Sequence, residues 1–417
     1  MLSPFRALRF AARDLGPVTS PPYDVIDAGG VVEREAASEH NIVRLILPRA
    51  DPDAGQDRYA RAATLLQAWR RNGILVPDAE PALYVYEQAA PDGHVQRGLL
   101  GALALTPPED AIVLPHENTM AGPVSDRLAL YTAVDADLEP IFLLYDGGGA
   151  ATRAVADADR QEPLVDQVLP DGLRHRLWAL TDSQVLAAVA ADLATRRAVI
   201  ADGHHRYATY LQRQALRHEA GDGPGPWDSG LTFLVDAQAF GPQVHPIHRV
   251  VPAHDATELA GRAARGARVH DLDGNDIADA LTALAQAGAD GPAFLLASGD
   301  GGTLRLVTDL DRSQLERSLP AERSAAWRAL DVSILHAFVV ADLWGIEDTV
   351  TTVAYEHDVH DALATAARTA GTAVLLNPTP VDGVVQVAAG GERMPRKSTL
   401  FTPKPRTGLV LRDHRDA

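Results

Sequence analysis

The 417-residue sequence predicts a mixed α/β or α+β protein in which helices pack on mixed sheets. Three observations lead there. Apolar runs of strand length, among them ALYVYEQ, PIFLLYD, GLTFLVDA and AFLLASG, recur along the chain and alternate with stretches of helical apolar spacing. No internal repeat or long low-complexity tract interrupts that alternation. Hydrophobic residues make up 46% of the chain against 23% charged, enough at this length for two or three cores. The pattern does not fix strand order.

Near the N-terminus, the two prolines of SPPYDVID impose an extended, rigid loop that holds Tyr23 and Asp24, with Asp27 placed to cap a following helix. Residues 57–72, DRYARAATLLQAWRRN, have helical spacing and stop at Gly73. ALYVYEQ and VQRGLLGALAL flank the turn PDGH and predict a hairpin. The strand start IVL runs into the polar loop PHENT, and RLALYTAV predicts a helix capped by Ser125 or Asp126. PIFLLYD and RHRLWALT read as strands. Residues 182–196 return to helix with Asp182 as N-cap, and the strand AVIAD then meets the helical HHRYATYL across Gly203. Strands GLTFLVDA and VHPIHRVV follow, then a helix from Thr257, strands AFLLASG and TLRLVTD, and helices from about Pro320 to Trp344. VHDALATAARTAGTAVLLNPTP predicts a helix and a strand before the basic stretch GERMPRKSTLFTPKPRTGL. Three segments are expected: an N-terminal α/β segment, 1–80; a strand-rich segment, 81–195, with the HENT and SDRL motifs; and an α/β region, 196–417, with the ADGHHR box and the basic loop.

Composition narrows the partners. Lys and Arg number 38 against 56 Asp and Glu, and a net charge of -18 argues against a duplex nucleic-acid binder, which needs a basic face for phosphates. Without cysteine there is no disulfide framework, thiolate metal site or thiol nucleophile. MLSPFRALRFAARDLG lacks the apolar core of a signal peptide, and no run reaches the ~20 apolar residues of a membrane span. The expectation is a cytoplasmic protein whose partners are small molecules.

The strongest candidate for chemistry is AVIADGHHRYATYL. A strand delivers Asp202 and Gly203 to a turn, and the helix that follows presents unpaired N–H groups near His204, His205 and Arg206, a ready site for phosphate. Arg206 adds a two-pronged cation, Gly203 permits close backbone approach, and a histidine beside Asp202 can be held in one tautomer for proton transfer. Zinc is the weaker reading for the histidines, since adjacent helical residues point about 100° apart. Removing Arg206 is expected to be severe for activity and mild for folding. Asp24 is a candidate base or metal ligand. His116 and Glu117, with Asn118 and Thr119, sit before the helix that carries Asp126 and Arg127, a grouping suited to acid–base work or metal binding. In the basic stretch, Lys397 and Ser398 resemble the lysine–hydroxyl pairing of phosphate sites without the glycine-rich loop of a P-loop, and Lys404 adds a further cation. In HPIHRVV, His245, His248 and Arg249 alternate on a strand and read as structural.

Taken in order, SPPYDVID, LPHENT, SDRLALYTAV, PIFLLY, ADGHHRYAT, HPIHRVV, DVSILH and MPRKSTLFTPKPRTGL resemble the bacterial and archaeal family catalogued as domain of unknown function 1015. ADGHHRYAT by itself resembles the Asp-Gly-x-His-Arg box of the ParB/sulfiredoxin-like superfamily, which includes free L-serine kinases. There the box binds nucleotide phosphates and lies soon after the first strands; here a long segment precedes it, so the likeness implies a large insertion.

This second resemblance implies a small-molecule phosphotransferase, a nucleotide-dependent free L-serine kinase-like enzyme using ATP or ADP, with Mg²⁺. Phosphoryl transfer needs cations and N–H groups around the phosphates and a base near the acceptor hydroxyl. The candidate catalytic residues are Asp24, Glu117, Asp202, His204 and His205, of which the resemblance covers Asp202, His204 and His205 alone. Phosphate or substrate contacts fall to Tyr23, His116, Asp126, Arg127, Gly203, Arg206, Lys397, Ser398 and Lys404. A hydrolase of a small phosphorylated metabolite, with water as acceptor, would use the same groups. A nucleotide-responsive regulatory protein without turnover is the non-enzymatic alternative.

Overall fold

The strands expected from ALYVYEQ to GLTFLVDA all join one mixed nine-stranded sheet. The computed structural model describes residues 1–51, 55–274, 276–299, 301–349 and 351–416. The chain forms two units, Met1–Pro242 with Pro403–Ala417, and Gln243–Thr402. The large sheet lies in the first. Its strands run in the order Val113–Leu114, Ala198–Asp202, Ile141–Tyr145, Ser229–Asp236, Val95–Ala104, Leu83–Ala89, Arg174–Leu180 and Val165–Val168, with Leu2–Ser3 also paired to Val95–Ala104. The expected hairpin is present, with Tyr84 opposite Leu100. The strands of the middle are buried on both faces, so they read as near-continuous apolar runs.

One pairing positions the site. Ala198–Asp202 runs antiparallel to Ile141–Tyr145, with a bulge after Ile200 that sets Asp202 opposite Phe142. The end of the first strand therefore lies beside the start of the second, and Glu139 and Pro140 arrive next to the helix His204–Glu219.

Aspartates cap helices where short apolar-spaced stretches begin. Asp27 accepts from Gly30 at the start of Ala28–Ala37, Asp57 from Tyr59 and Ala60 at Arg58–Arg71, and Asp182 from Gln184 and Val185 at Ser183–Leu193. One expectation is corrected. The helix that contains RLALYTAV spans Ala121–Val134, so Ser125 and Asp126 lie inside it and cap nothing. Its N-cap, Met120, offers no side-chain acceptor, and the Met120 N–H donates instead to His205 Nε2 at 3.0 Å. A tertiary contact thus replaces the local cap that the sequence offers.

The C-terminal residues return to the first unit as ordered chain. Ser20 and Thr407 bridge antiparallel, as do Leu8 and Leu411, and Arg412 pairs with Asp137. Asp137 is fully buried and accepts from Arg213 at 2.7 Å and Arg412 at 2.9 Å.

The second unit holds an antiparallel six-stranded sheet, Arg268–Asp271, Arg305–Thr308, Phe294–Ser298, Thr372–Leu376, His248–Val251 and Ala354–Glu356. Helices Ile277–Asp290 and Val359–Arg368 supply Leu284, Ala362 and Ala366 to a core with Val250, Leu295 and Leu375. VHPIHRVV is broken by Pro246, which cannot donate to a ladder, into Gln243–His245 and His248–Val251. The helical stretch before Trp344 consists of Ala325–Arg328, Asp331–Ile334 and a wider-wound π segment, Leu335–Leu343. Among the described residues, no helix is long and apolar enough to cross a membrane.

Candidate functional site

Gly203 ends the strand and starts the helix His204–Glu219. It adopts φ +97°, in the left-handed region, and a Cβ there would lie 3.1 Å from both Arg206 Nε and Ile141 Cγ2. Gly203 offers the first helical turn no side-chain acceptor. Seven other helices among the described residues carry an Asp at this position that accepts from their first turn. The positive end of this 16-residue helix is left without that neutralising carboxylate.

The charges at this end come from three distant segments. Lys404 Nζ lies 2.6 Å from Asp202 Oδ1 and 3.1 Å from Asp24 Oδ2. Arg206 pairs with the other oxygen of Asp202 and donates to the Pro140 carbonyl at 2.5 Å. Burial opposes the charge on Asp202, but Lys404 and Arg206 outweigh it and hold its carboxyl at about 2. Lys404 is the reciprocal case: desolvation disfavours the ammonium, Asp202 and Asp24 favour it, and the balance is upward. Tyr23 packs its ring beneath Arg127, whose guanidinium carbon is 4.4 Å from the ring centre, and 6.0 Å from that of Arg206. Burial pushes the Tyr23 hydroxyl up to about 12.

Arg206 is only 1% exposed. The expectation that its removal would be mild for folding is therefore corrected: its loss leaves Asp202 short of a partner and the Pro140 carbonyl without its donor.

His204 and His205 fasten the HENT segment to the helix start. His204 Nε2 accepts from the His116 N–H at 3.3 Å, while the two rings meet edge to face at 4.6 Å. His204 Nδ1 faces Glu117 Oε2 at 3.9 Å. With Nε2 of both histidines facing backbone donors, each ring proton is assigned to Nδ1. Burial lowers the His205 pKa, so this ring is neutral at pH 7. Among the described residues, no group of three or more His, Asp or Glu side chains is arranged to hold a metal ion.

Asp126 and Arg127 form a neighbouring cluster. Asp126 accepts from Arg127 Nη2 at 2.6 Å, Arg58 Nη2 at 2.6 Å and Tyr59 Oη at 2.8 Å, and Arg127 Nη1 donates to the Ile46 carbonyl. The basic stretch is divided between the units: Lys404 belongs to the first, Lys397 and Ser398 to the second. There the Ser398 hydroxyl donates to the Pro395 carbonyl, and the Lys397 carbonyl accepts from Arg249.

Further residues support the site, of which Glu139, Gln88 and Gln96 carry little signal of their role in the sequence. Glu139 is fully buried, and its Oε1 accepts from the Tyr23 N–H at 2.9 Å and the Thr407 hydroxyl at 3.2 Å, joining the Asp24 loop to the Lys404 loop. Burial raises its pKa against the pull of Arg206 and Arg127. Gln88 and Gln96 donate to the carbonyls of Lys404 and Pro403. Arg406 donates to Thr19 Oγ1 at 2.7 Å and Asp171 at 3.0 Å. The only signal for Glu139 is an acid just before Pro140 and an apolar strand; Gln88 and Gln96 fall at the ends of the hairpin strands.

Comparison with known proteins adds a family. Residues 2–333 match the family described as "Protein of unknown function (DUF1015)", so the Lys404 segment lies beyond the matched span. The chain is similar to a solved free serine kinase in complex with AMP, at 13% identity and TM-score 0.36, covering 80% of this chain and 92% of that one. For SbnI with a C-terminal truncation from Staphylococcus aureus the values are 11%, 0.36, 75% and 87%. For a conserved hypothetical protein from Pyrococcus furiosus they are 14%, 0.35, 78% and 98%. No curated protein matches. With some four-fifths of its length matched, this chain belongs to the DUF1015 family.

Proposed function

We propose that the first unit binds nucleotide phosphates at the start of helix His204–Glu219 and transfers a phosphoryl group to a small hydroxylated acceptor, free L-serine or a close relative. The observation that carries this reading is the Lys404 ammonium, held between Asp24 and Asp202 beside a helix start that has no side-chain cap. Phosphoryl transfer is mainly positioning and charge stabilisation, and this arrangement offers a cation and helix N–H groups together with carboxylates.

The residues divide the work. Asp202, held at about 2, stays ionised and orients Lys404 and Arg206. Asp24, 35% exposed at its side chain, is the base. The acceptor hydroxyl gives its proton to Asp24 as its oxygen forms the new P–O bond; the bond from phosphorus to the donor's bridging oxygen breaks, and the shorter nucleotide leaves. Lys404 neutralises charge that develops on the phosphoryl oxygens. His204 and His205 hold the HENT segment in place. Both oxygens of Asp202 are already paired with Lys404 and Arg206, and Asp24 faces Lys404 and serves as the base, so the protein side of the site is committed to Lys404. Mg²⁺ would be carried mainly by the nucleotide phosphates, and it supplies charge neutralisation when bound.

The test incubates pure protein with Mg²⁺ and ATP or ADP, with and without L-serine, and follows O-phosphoserine by phosphorus NMR beside Lys404→Met. Product that needs both substrates and disappears in the variant supports the reading. Phosphate released from O-phosphoserine without nucleotide replaces it with a hydrolase. Saturable nucleotide binding without product replaces it with a regulatory protein.

A further inference from the structure

A cleft of about 340 Å³ opens in the first unit between the start of helix Ala28–Ala37 and the Asp126 cluster. Its size is at the low end of the roughly 300–1,000 Å³ common for small-molecule pockets, which suits a metabolite of a few heavy atoms better than a nucleotide. Ile26, Val31 and Leu47 give it an apolar floor, and Arg49, Arg58 and Arg127 give it a cationic side.

The committed groups show what kind of ligand fits. Asp126 accepts from Arg58, from Tyr59 and twice from Arg127, so its oxygens are saturated. Asp27 uses Oδ1 to cap the Gly30 N–H. Glu35 lies 3.4 Å from Arg49 and so balances that charge in part. Arg58 uses Nη2 alone; its Nε and Nη1 meet no hydrogen-bond acceptor among the described residues. The cleft therefore offers guanidinium N–H of Arg58, fixed in direction by Asp126, above an apolar floor. That combination takes an anion with a short aliphatic body.

The cleft adjoins the charged cluster through one loop. Asp24 touches Lys404 and Ile26 lines the cleft, and two residues of chain span at most ~7 Å between their α-carbons. Arg127 both lines the cleft and stacks on Tyr23. We propose that this cleft binds the carboxylate of a small metabolite through Arg58, placing it as the acceptor for the reaction at Asp24 and Lys404. The acceptor role rests on the phosphotransferase reading; the carboxylate site does not.

Calorimetry of the full chain with L-serine, L-lactate and inorganic phosphate, and separately with ADP, tests it, using Arg58→Gln and a cleft-filling Ala28→Phe. The Arg58 side chain is 51% exposed, so the first variant keeps its fold, checked by its melting temperature. The expected result is binding of at least one carboxylate, weakened about tenfold or more in both variants, as for loss of a charge-assisted contact, with ADP affinity unchanged. Equal carboxylate affinity in the variants, binding of phosphate but neither carboxylate, no binding of any probe, or a parallel loss of ADP would each overturn the assignment. Carboxylate binding that responds to both variants in a protein that makes no phosphorylated product keeps the cleft site and removes the phosphotransferase reading.

Discussion

The Lys404 ammonium lies 3.1 Å from the Asp24 carboxylate across 380 positions of sequence. The antiparallel bridge between Ser20 and Thr407 explains how, since it draws the two loops alongside each other. Asp202 completes the arrangement at 2.6 Å. Lys404→Met keeps the aliphatic stem and removes the charge shared by both carboxylates. Under the phosphotransferase reading, kcat/KM falls about 10²–10³-fold, the scale for losing one preorganised charged donor. Steady-state kinetics beside a thermal melt separate this from unfolding; unchanged kinetics in a folded variant would remove Lys404 from the chemistry.

Gly203→Ala tests the turn itself. The φ of +97° disfavours any Cβ, and the new atom would press on Arg206 Nε and Ile141 Cγ2 at 3.1 Å. A loss of roughly 1–3 kcal/mol in unfolding free energy is expected from this strain. Urea titration measures it, and a neutral result would mean that the turn relaxes freely.

Glu139→Gln tests the node between the loops. The substituted amide oxygen can still accept from Tyr23 and Thr407, but the negative charge facing Arg206 and Arg127 is gone. Because burial outweighs the pull of Arg206 and Arg127 on this carboxyl, a neutral amide that keeps both accepted hydrogen bonds should change the unfolding free energy by no more than about 1 kcal/mol. Chemical denaturation reads the cost. A loss of several kcal/mol would show instead that the Glu139 charge is a net stabiliser of the two arginines.

Acid should weaken the second unit through His248. This ring is 2% exposed, its Nδ1 accepts from the Leu376 N–H, and burial together with Arg249 lowers its pKa to about 4. An unfolded histidine titrates near 6.5, so between pH 6.5 and 4 the unfolded chain binds the proton first. Stability is complete above 6.5 and falls by about 3 kcal/mol on reaching pH 4. Denaturation at pH 7 and pH 4 measures the drop, and His248→Gln should remove this part of the slope; an equal slope in that variant would assign it elsewhere.

The sequence alone carried the mixed α/β class, most strands, the Asp27 and Asp182 caps and the Gly203 turn, because apolar periodicity and capping chemistry act over a few residues. Family membership was also legible, from motifs that extend along most of the chain. It misplaced the start of Ala121–Val134, where the Met120 N–H is satisfied by His205 from a distant helix rather than by Ser125 or Asp126. It suggested one basic stretch, which the fold divides between units. Only the tertiary structure brought Asp24, Asp202 and Lys404 together and gave Glu139 its place between their loops. Those contacts depend on strand pairing and on a returning C-terminal segment, and pairing between residues hundreds of positions apart leaves no local pattern to read.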